Sequence, residues 1–312
     1  MEKNFADILL DAIDEKKNPS VVGLDPRIEL IPEHLKNKHH DINREAVTET
    51  FITFNKAIID AVYDIVPAVK PQLAFYEQYG YHGIIAFEET IKYAKSKGLL
   101  VISDGKRNDI GSTASAYADA FLGEVRTCSG KSIRGFDVDA LTVNAYLGWD
   151  GIKPFIEVCQ KYSKGIFILV KTSNPSSADL QDLIVDNQPI YEKLAILINK
   201  WSENTEGQRG YRFVGAVVGA TFPIQAERLR NLMPNCIFLV PGYGVQGGTA
   251  KDISVCFNPD GYGAIINSSR GIIYAYMDER WKKIFVPKQF DSAARSAAIA
   301  MRDEIQSFIK KY

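Results

Sequence analysis

Two carboxylates and a lysine at short spacing make residues 103–113 the part of the chain best equipped for chemistry. The stretch reads Ser103-Asp104-Gly105-Lys106-Arg107-Asn108-Asp109-Ile110-Gly111-Ser112-Thr113. On an extended segment, side chains two residues apart point the same way. Asp104 and Lys106 therefore share a face, while Asp109 lies past the bend and need not. Such a pair is bland if it decorates a solvated turn. It is reactive where the ammonium meets a developing anion and gives up a proton. Placement favours the second reading. Leu99-Leu100-Val101-Ile102 leads in as an apolar strand, and Ala114, Tyr117, Ala118 and Phe121 follow at helical spacing. The charges thus stand where a buried strand becomes a helix, the usual place for a site in a parallel α/β sheet.

Other apolar runs also end in polar residues. The first is followed by Asp25, which suits either a turn before Pro26 or a ligand contact. The second ends at Lys70, and an ammonium buried there without a partner is costly. Asp104, on the next strand, is its natural partner, so Asp25, Lys70, Asp104 and Lys106 can form one cluster. Later runs end in Thr142-Val143-Asn144 and in Thr172-Ser173-Asn174, neutral hydrogen-bonding groups suited to a polar heterocycle. The last two lead to Gly242-Tyr243-Gly244-Val245-Gln246-Gly247-Gly248 and to Asn267-Ser268-Ser269-Arg270-Gly271. Glycines let backbone approach a ligand, and an arginine opening a short helix can hold an anion with backbone N–H groups.

Eight apolar runs carry these ends, at 21–24, 66–69, 99–102, 140–143, 166–170, 213–218, 237–240 and 264–266. Most are continuous rather than alternating, as expected of parallel strands buried on both faces. Helical stripes lie between them: Val47, Phe51, Phe54, Ile58, Val62; Ile84, Phe87, Ile91, Ala94; Ile152, Phe155, Ile156, Cys159; Ile190, Leu194, Leu197, Trp201. Phe290, Ala294, Ala297, Met301, Ile305 and Phe308 form the last. Eight β/α units predict a single (β/α)8 TIM barrel over residues 1–312, with an amphipathic N-terminal helix (Phe5, Ile8, Leu9, Ile13) and extended βα loops at 26–43, 123–137 and 173–189. In that barrel the loops after strands seven and eight are the recurrent phosphate site, which singles out Arg270.

Composition narrows the function. The chain is 46% hydrophobic and 24% charged, with a formal net charge of -1. That charge offers no broad basic field for nucleic acid. No apolar run approaches the roughly 18 residues of a membrane helix, and the early acids leave no signal-peptide core. Cys128, Cys159, Cys236 and Cys256 are scattered without C-x-x-C spacing, which fits a reducing cytoplasm and indicates neither a disulfide framework nor zinc. The histidines, His34, His39, His40 and His82, avoid the strand ends, which argues against histidine catalysis and His-rich metal sites.

Taken in order, Asp25, Lys70, the D-x-K-x-x-D-I-x-x-T stretch with Asp104, Lys106, Asp109 and Thr113, then Ser173-Asn174-Pro175, Gln246 and Arg270-Gly271 resemble the orotidine 5′-monophosphate decarboxylase family over roughly residues 20–275. Gly-Leu-Asp-Pro-Arg, Lys-Pro-Gln and Asp-Gly-Lys-Arg-Asn-Asp are similar to its longer bacterial-type members. The resemblance implies decarboxylation of the nucleotide orotidine 5′-monophosphate to UMP without metal or cofactor, by a homodimer. It implies that Lys106 protonates C6, that Asp104 faces the substrate carboxylate, and that Asp25 and Lys70 hold the ribose and the charged network. Asp109 and Thr113 would cross to the neighbouring site. Asn144 and Ser173 would contact the pyrimidine side, while Gln246 and Arg270 would grip the 5′-phosphate. Magnesium-dependent relatives acting on keto-sugar phosphates share D-x-K-x-x-D but carry an acid where this chain has Lys70. A non-enzymatic nucleotide-binding barrel would not need Lys106.

Overall fold

Each of the eight apolar runs becomes a strand of one closed, all-parallel barrel in the computed structural model, which describes residues 3–36, 44–245 and 247–309. The strands are β1 (Ser20–Leu24), β2 (Ala68–Pro71), β3 (Leu100–Arg107), β4 (Ala140–Val143), β5 (Gly165–Lys171), β6 (Arg212–Val218), β7 (Cys236–Val240) and β8 (Ala264–Ser268). They pair in sequence order, and β8 closes on β1 with Ser20 opposite Ile266. Continuous apolar strands fit this arrangement because one face packs inside the barrel and the other under helices.

The helices are α1 (Phe5–Lys16), α2 (Arg44–Val62), α3 (Tyr81–Ser96), α4 (Gly111–Leu122), α5 (Trp149–Tyr162), α6 (Ile190–Trp201), α7 (Pro223–Leu232) and α8 (Phe290–Gln306). Their stripes supply the outer core: Phe51, Phe54 and Ile58 on α2, Phe87 and Ile91 on α3, and Phe155 and Cys159 on α5 are buried. Burial of each such phenylalanine or isoleucine contributes about 1.5–3 kcal/mol. Asn4 caps α1 through a reciprocal box with Asp7. The helix lies across the N-terminal ends of the strands, where the Phe5 ring meets Phe167 edge-on at 6.1 Å.

The structure departs from the sequence expectation in four places, the simplest being Phe308 of the last stripe, which lies past the end of α8 and is exposed. On α6 the buried face is Tyr191, Ala195 and Ile198, while Leu197 of the expected stripe is exposed. The apolar residues of this helix span a wide arc, and packing turns Tyr191, Ala195 and Ile198 inward. Two extended loops hold antiparallel hairpins, Glu124–Arg126 with Ser132–Arg134 and Ile184–Val185 with Gln188–Pro189, too short to show an alternating pattern. Finally, β3 does not stop before the charged stretch; it continues through Arg107 with a shift in register against β4 between Ser103 and Arg107. The third expected extension, 26–43, is described only to Lys36.

Candidate active site

The shift in β3 creates the site. Lys106 has φ 46, in the left-handed region that side chains disfavour. Its backbone N–H leaves the strand ladder and donates instead to Thr142 Oγ1 on β4 at 2.9 Å. The bulge re-aims the lysine, so Lys106 Nζ turns back onto Asp104 Oδ1 at 2.6 Å.

Asp104 sits on the buried part of the same strand with four donors around its two oxygens. Lys106 Nζ and the Thr142 hydroxyl donate to Oδ1, the latter at 2.9 Å. Lys70 Nζ, from β2, donates to Oδ2 at 2.7 Å, and Gln72 Nε2 does so at 2.8 Å. A carboxylate has about four lone-pair positions, so this one is saturated. Burial by itself would raise the Asp104 pKa, but the two ammoniums outweigh it and hold the carboxyl far below the ordinary range. Burial likewise opposes the charge on Lys70, whose side chain is 4% exposed. Asp104, and after it Asp25, reverse that effect and push the Lys70 pKa up.

Asp25 follows β1 and faces Lys70 from the other side. Here desolvation prevails: the Asp25 pKa is raised, against the pull of Lys70 and of a hydrogen bond from Ser269. Ser269 reaches it because Gly23 has no side chain; a Cβ there would come within 1.8 Å of Ser269 Oγ. The loop is tethered by Tyr274, whose hydroxyl accepts from Arg27 N at 2.7 Å and donates to Asp25 O at 3.1 Å. Among the described residues Asp25 Oδ1 and Asn267 Oδ1 are buried acceptors without a hydrogen-bond donor. Both residues line the central cavity, although these two oxygens are turned away from its open space.

That cavity, about 380 Å³, opens at the C-terminal ends of the strands and is bounded by Asp25, Lys70, Asp104, Lys106, Ser173 and Arg270. Its inner wall is apolar, with Leu169, Val217 and Leu239. The size and the mix of apolar wall with few convergent polar groups suit a small organic ligand. Arg270, at the start of the short helix Arg270–Ile273, stands across the mouth beside Gly242 and Tyr243.

Not every expected residue converges there. Asp109 and Thr113 lie outside the wall at the start of α4, where Asp109 Oδ1 accepts from Ile110 N at 2.8 Å and Thr113 is exposed. Asn144 is also outside it, with its amide oxygen taking the Tyr146 N–H at 2.9 Å. Gln246 lies outside the described residues. Conversely, Gln72, Asn267 and Ser269 line the cavity although the sequence reading assigns them no role, and Thr142, read as a group for a polar heterocycle, donates to Asp104. Gln72 was findable, since it lies two residues past Lys70 and so shares its face. Ser269 was not, because its reach depends on a close approach between β8 and Gly23. Among the described residues no group of three or more His, Cys, Asp and Glu side chains is placed to hold a metal ion.

Residues 21–284 match the family model described as orotidine 5′-phosphate decarboxylase / HUMPS family. The orotidine 5′-phosphate decarboxylase of Caldicellulosiruptor saccharolyticus is 43% identical over 309 residues, covering 98% of this chain and 99% of the relative. That of Rhodopirellula baltica is 44% identical over 302 residues, covering 97% and 99%. A crystal structure from Toxoplasma gondii, provisionally assigned as an orotidine-monophosphate decarboxylase, superposes with a TM-score of 0.79 at 30% identity and covers 99% of this chain and 98% of that one.

Proposed function

Because the chain belongs to the orotidine 5′-phosphate decarboxylase / HUMPS family, we propose that its Asp104–Lys106 pair drives decarboxylation through an anion at C6. The activity itself, orotidine 5′-monophosphate to UMP in pyrimidine biosynthesis, follows from the family match and from relatives that share nearly the whole length. In the step proposed here, the C6–carboxylate bond breaks and its electron pair stays on C6. Lys106 Nζ transfers a proton to that carbon as CO2 departs, and the resulting amine regains a proton from water. The observation that carries this reading is the carboxylate of Asp104 held between two ammoniums at 2.6 and 2.7 Å. It holds the Lys106 side chain at the cavity and sets a negative charge where a substrate carboxylate would be repelled. No cofactor enters the step.

We read the roles of the remaining residues from the family resemblance, supported for Asp25, Lys70, Ser173 and Arg270 by their places on the cavity wall. Asp25, on the cavity wall beside Lys70, takes a ribose hydroxyl, and Lys70 joins ribose and carboxylate network. Ser173 contacts the pyrimidine, and Arg270, with Gln246, holds the phosphate. Enzymes lower barriers by about 8–23 kcal/mol. One lysine does not supply that alone, so binding energy at the remote phosphate must help to organise the charged network. A homodimer, with Asp109 and Thr113 completing the neighbouring site, is part of the proposal. Support comes from the exposed apolar side chains around them, Ile110, Tyr146 and Leu147. So is a cytoplasmic barrel acting as one unit over residues 1–312, to which four unpaired cysteine thiols are suited. Among the described residues no helix is long and apolar enough to cross a membrane.

The test is loss of orotidylate absorbance in EDTA without added cofactor. Lys106→Ala should lower turnover by at least about 10³-fold, the scale of a lost general acid, while UMP still binds. Persisting turnover in the variant, or turnover of a sugar phosphate only with added metal, would overturn the reading.

A further inference from the structure

A buried cation that the decarboxylation does not use sits one residue before the cavity wall. Lys171 ends β5; its side chain is 0% exposed, and it is not among the residues that line the cavity. Its Nζ donates to Asp182 Oδ1 at 2.7 Å and to Ser177 Oγ at 3.0 Å. It also lies 4.4 Å from the centre of the Phe222 ring and 5.8 Å from that of Tyr191. The two rings belong to the body of the barrel, just before α7 and on α6. Asp182 and Ser177 belong to the long segment 172–189 that leaves β5.

The same segment opens with Thr172, Ser173 and Asn174, all on the cavity wall. It is pinned at several points. Gln181 Oε1 accepts from Thr172 N at 2.9 Å, and Gln181 Nε2 donates to Thr172 Oγ1 at 2.9 Å. Thr221 Oγ1 donates to Ser173 O at 2.9 Å, and Tyr191 N donates to Gln181 O at 3.0 Å. Gly219 lets the neighbouring strand end press against it, since a Cβ there would stand 2.7 Å from Ser173 N. Most of these bonds join neutral, partly exposed groups and are individually weak. The Lys171 pair differs. A fully enclosed ammonium is tolerable only with its carboxylate and hydroxyl in place. If the segment lifts, the ammonium loses its carboxylate and its hydroxyl together. Its burial therefore couples the seating of the whole segment to the place of Ser173, two residues away.

We propose that Lys171 is a positioning residue for recognition of the base. It staples segment 172–189 to the barrel so that Ser173 stays at the pyrimidine edge of the cavity, and it plays no part in proton transfer. This rests on the reading of Ser173 as the pyrimidine contact. The lysine acts on the half of the nucleotide that Arg270 does not touch, which gives it a signature that general loosening of the fold would not produce.

The experiment measures binding of UMP and of ribose 5-phosphate, with KM and kcat for orotidylate, in Ser173→Ala, Lys171→Met and Asp182→Asn. Ser173→Ala should weaken UMP about fivefold, the scale of one lost hydrogen bond, and leave ribose 5-phosphate within about twofold. Lys171→Met should weaken UMP by about tenfold or more with the same selectivity, and raise KM far more than it lowers kcat. Asp182→Asn, at the more exposed end of the pair, should do the same to a smaller degree, and decides the matter if Lys171→Met does not fold. Equal loss of both ligands in Lys171→Met and Asp182→Asn, or no loss, would overturn the staple. If Ser173→Ala leaves UMP binding unchanged, the assignment of Ser173 fails and the proposal falls with it; base selectivity lost only in Ser173→Ala rejects the staple alone.

Discussion

Asp104 and Asp25 flank the same lysine and carry opposite electrostatic histories. Asp104 has a donor for every lone pair, and its pKa is depressed. A depressed carboxyl contributes stability that is present above its ordinary value near 3.8 and lost as pH falls toward the folded-state value. Asp104 therefore stays charged throughout the range in which the protein would work. Asp25 is the reverse. Its pKa is raised, so the folded chain holds the proton more tightly than the unfolded one, and stability is lost as pH rises through 3.8 to the folded-state value. Asp25→Asn should then raise the melting temperature at pH 7 while impairing substrate binding, and the gain should disappear on titration below pH 4. A variant that melts lower than its parent at pH 7 would contradict this. The pairing of Lys70 with Asp104 was readable from residue types, because a lysine closing an apolar strand needs a carboxylate on the next. The preference of Asp25 for its proton was not readable, since it depends on how deeply the loop after β1 is enclosed.

At the scale of elements, the bulge in β3 does more than any single side chain. It costs a positive φ at Lys106, and Thr142 offsets the cost by accepting the displaced N–H while donating to Asp104. Thr142→Val keeps the shape and removes both bonds. It should destabilise the fold by about 1 kcal/mol or more, because a partly buried N–H is left without an acceptor and Asp104 loses a donor. It should also lower kcat more than it raises KM, because Lys106 loses its fixed approach. Urea melts with steady-state kinetics check both, and an unchanged kcat would remove Thr142 from the machinery. The strands themselves were legible as eight apolar runs, and so was the order of the polar residues at their ends. The bulge was not, because nothing in Asp-Gly-Lys-Arg distinguishes a strand that continues with a kink from one that stops. The buried face of α6 is illegible for a related reason: its apolar residues span an arc wide enough for two faces, and tertiary packing chooses between them.

For the molecule as a whole, Asp109 and Thr113 stand on the surface beside exposed Ile110, Tyr146 and Leu147 rather than in their own cavity. If they complete a neighbour's site, two inactive variants should rescue each other. Mixing Lys106→Ala with Asp109→Ala under conditions of subunit exchange gives hybrids with one intact site, so about a quarter of parental activity should return. No recovery would assign Asp109 to its own subunit. The position of α1 bears on traffic through the barrel. With Phe5 plugging the floor beneath β5, the interior is a blind alley entered from above. Orotidylate must come in, and UMP must back out, by one doorway, so the spent nucleotide obstructs the fresh one until it has left.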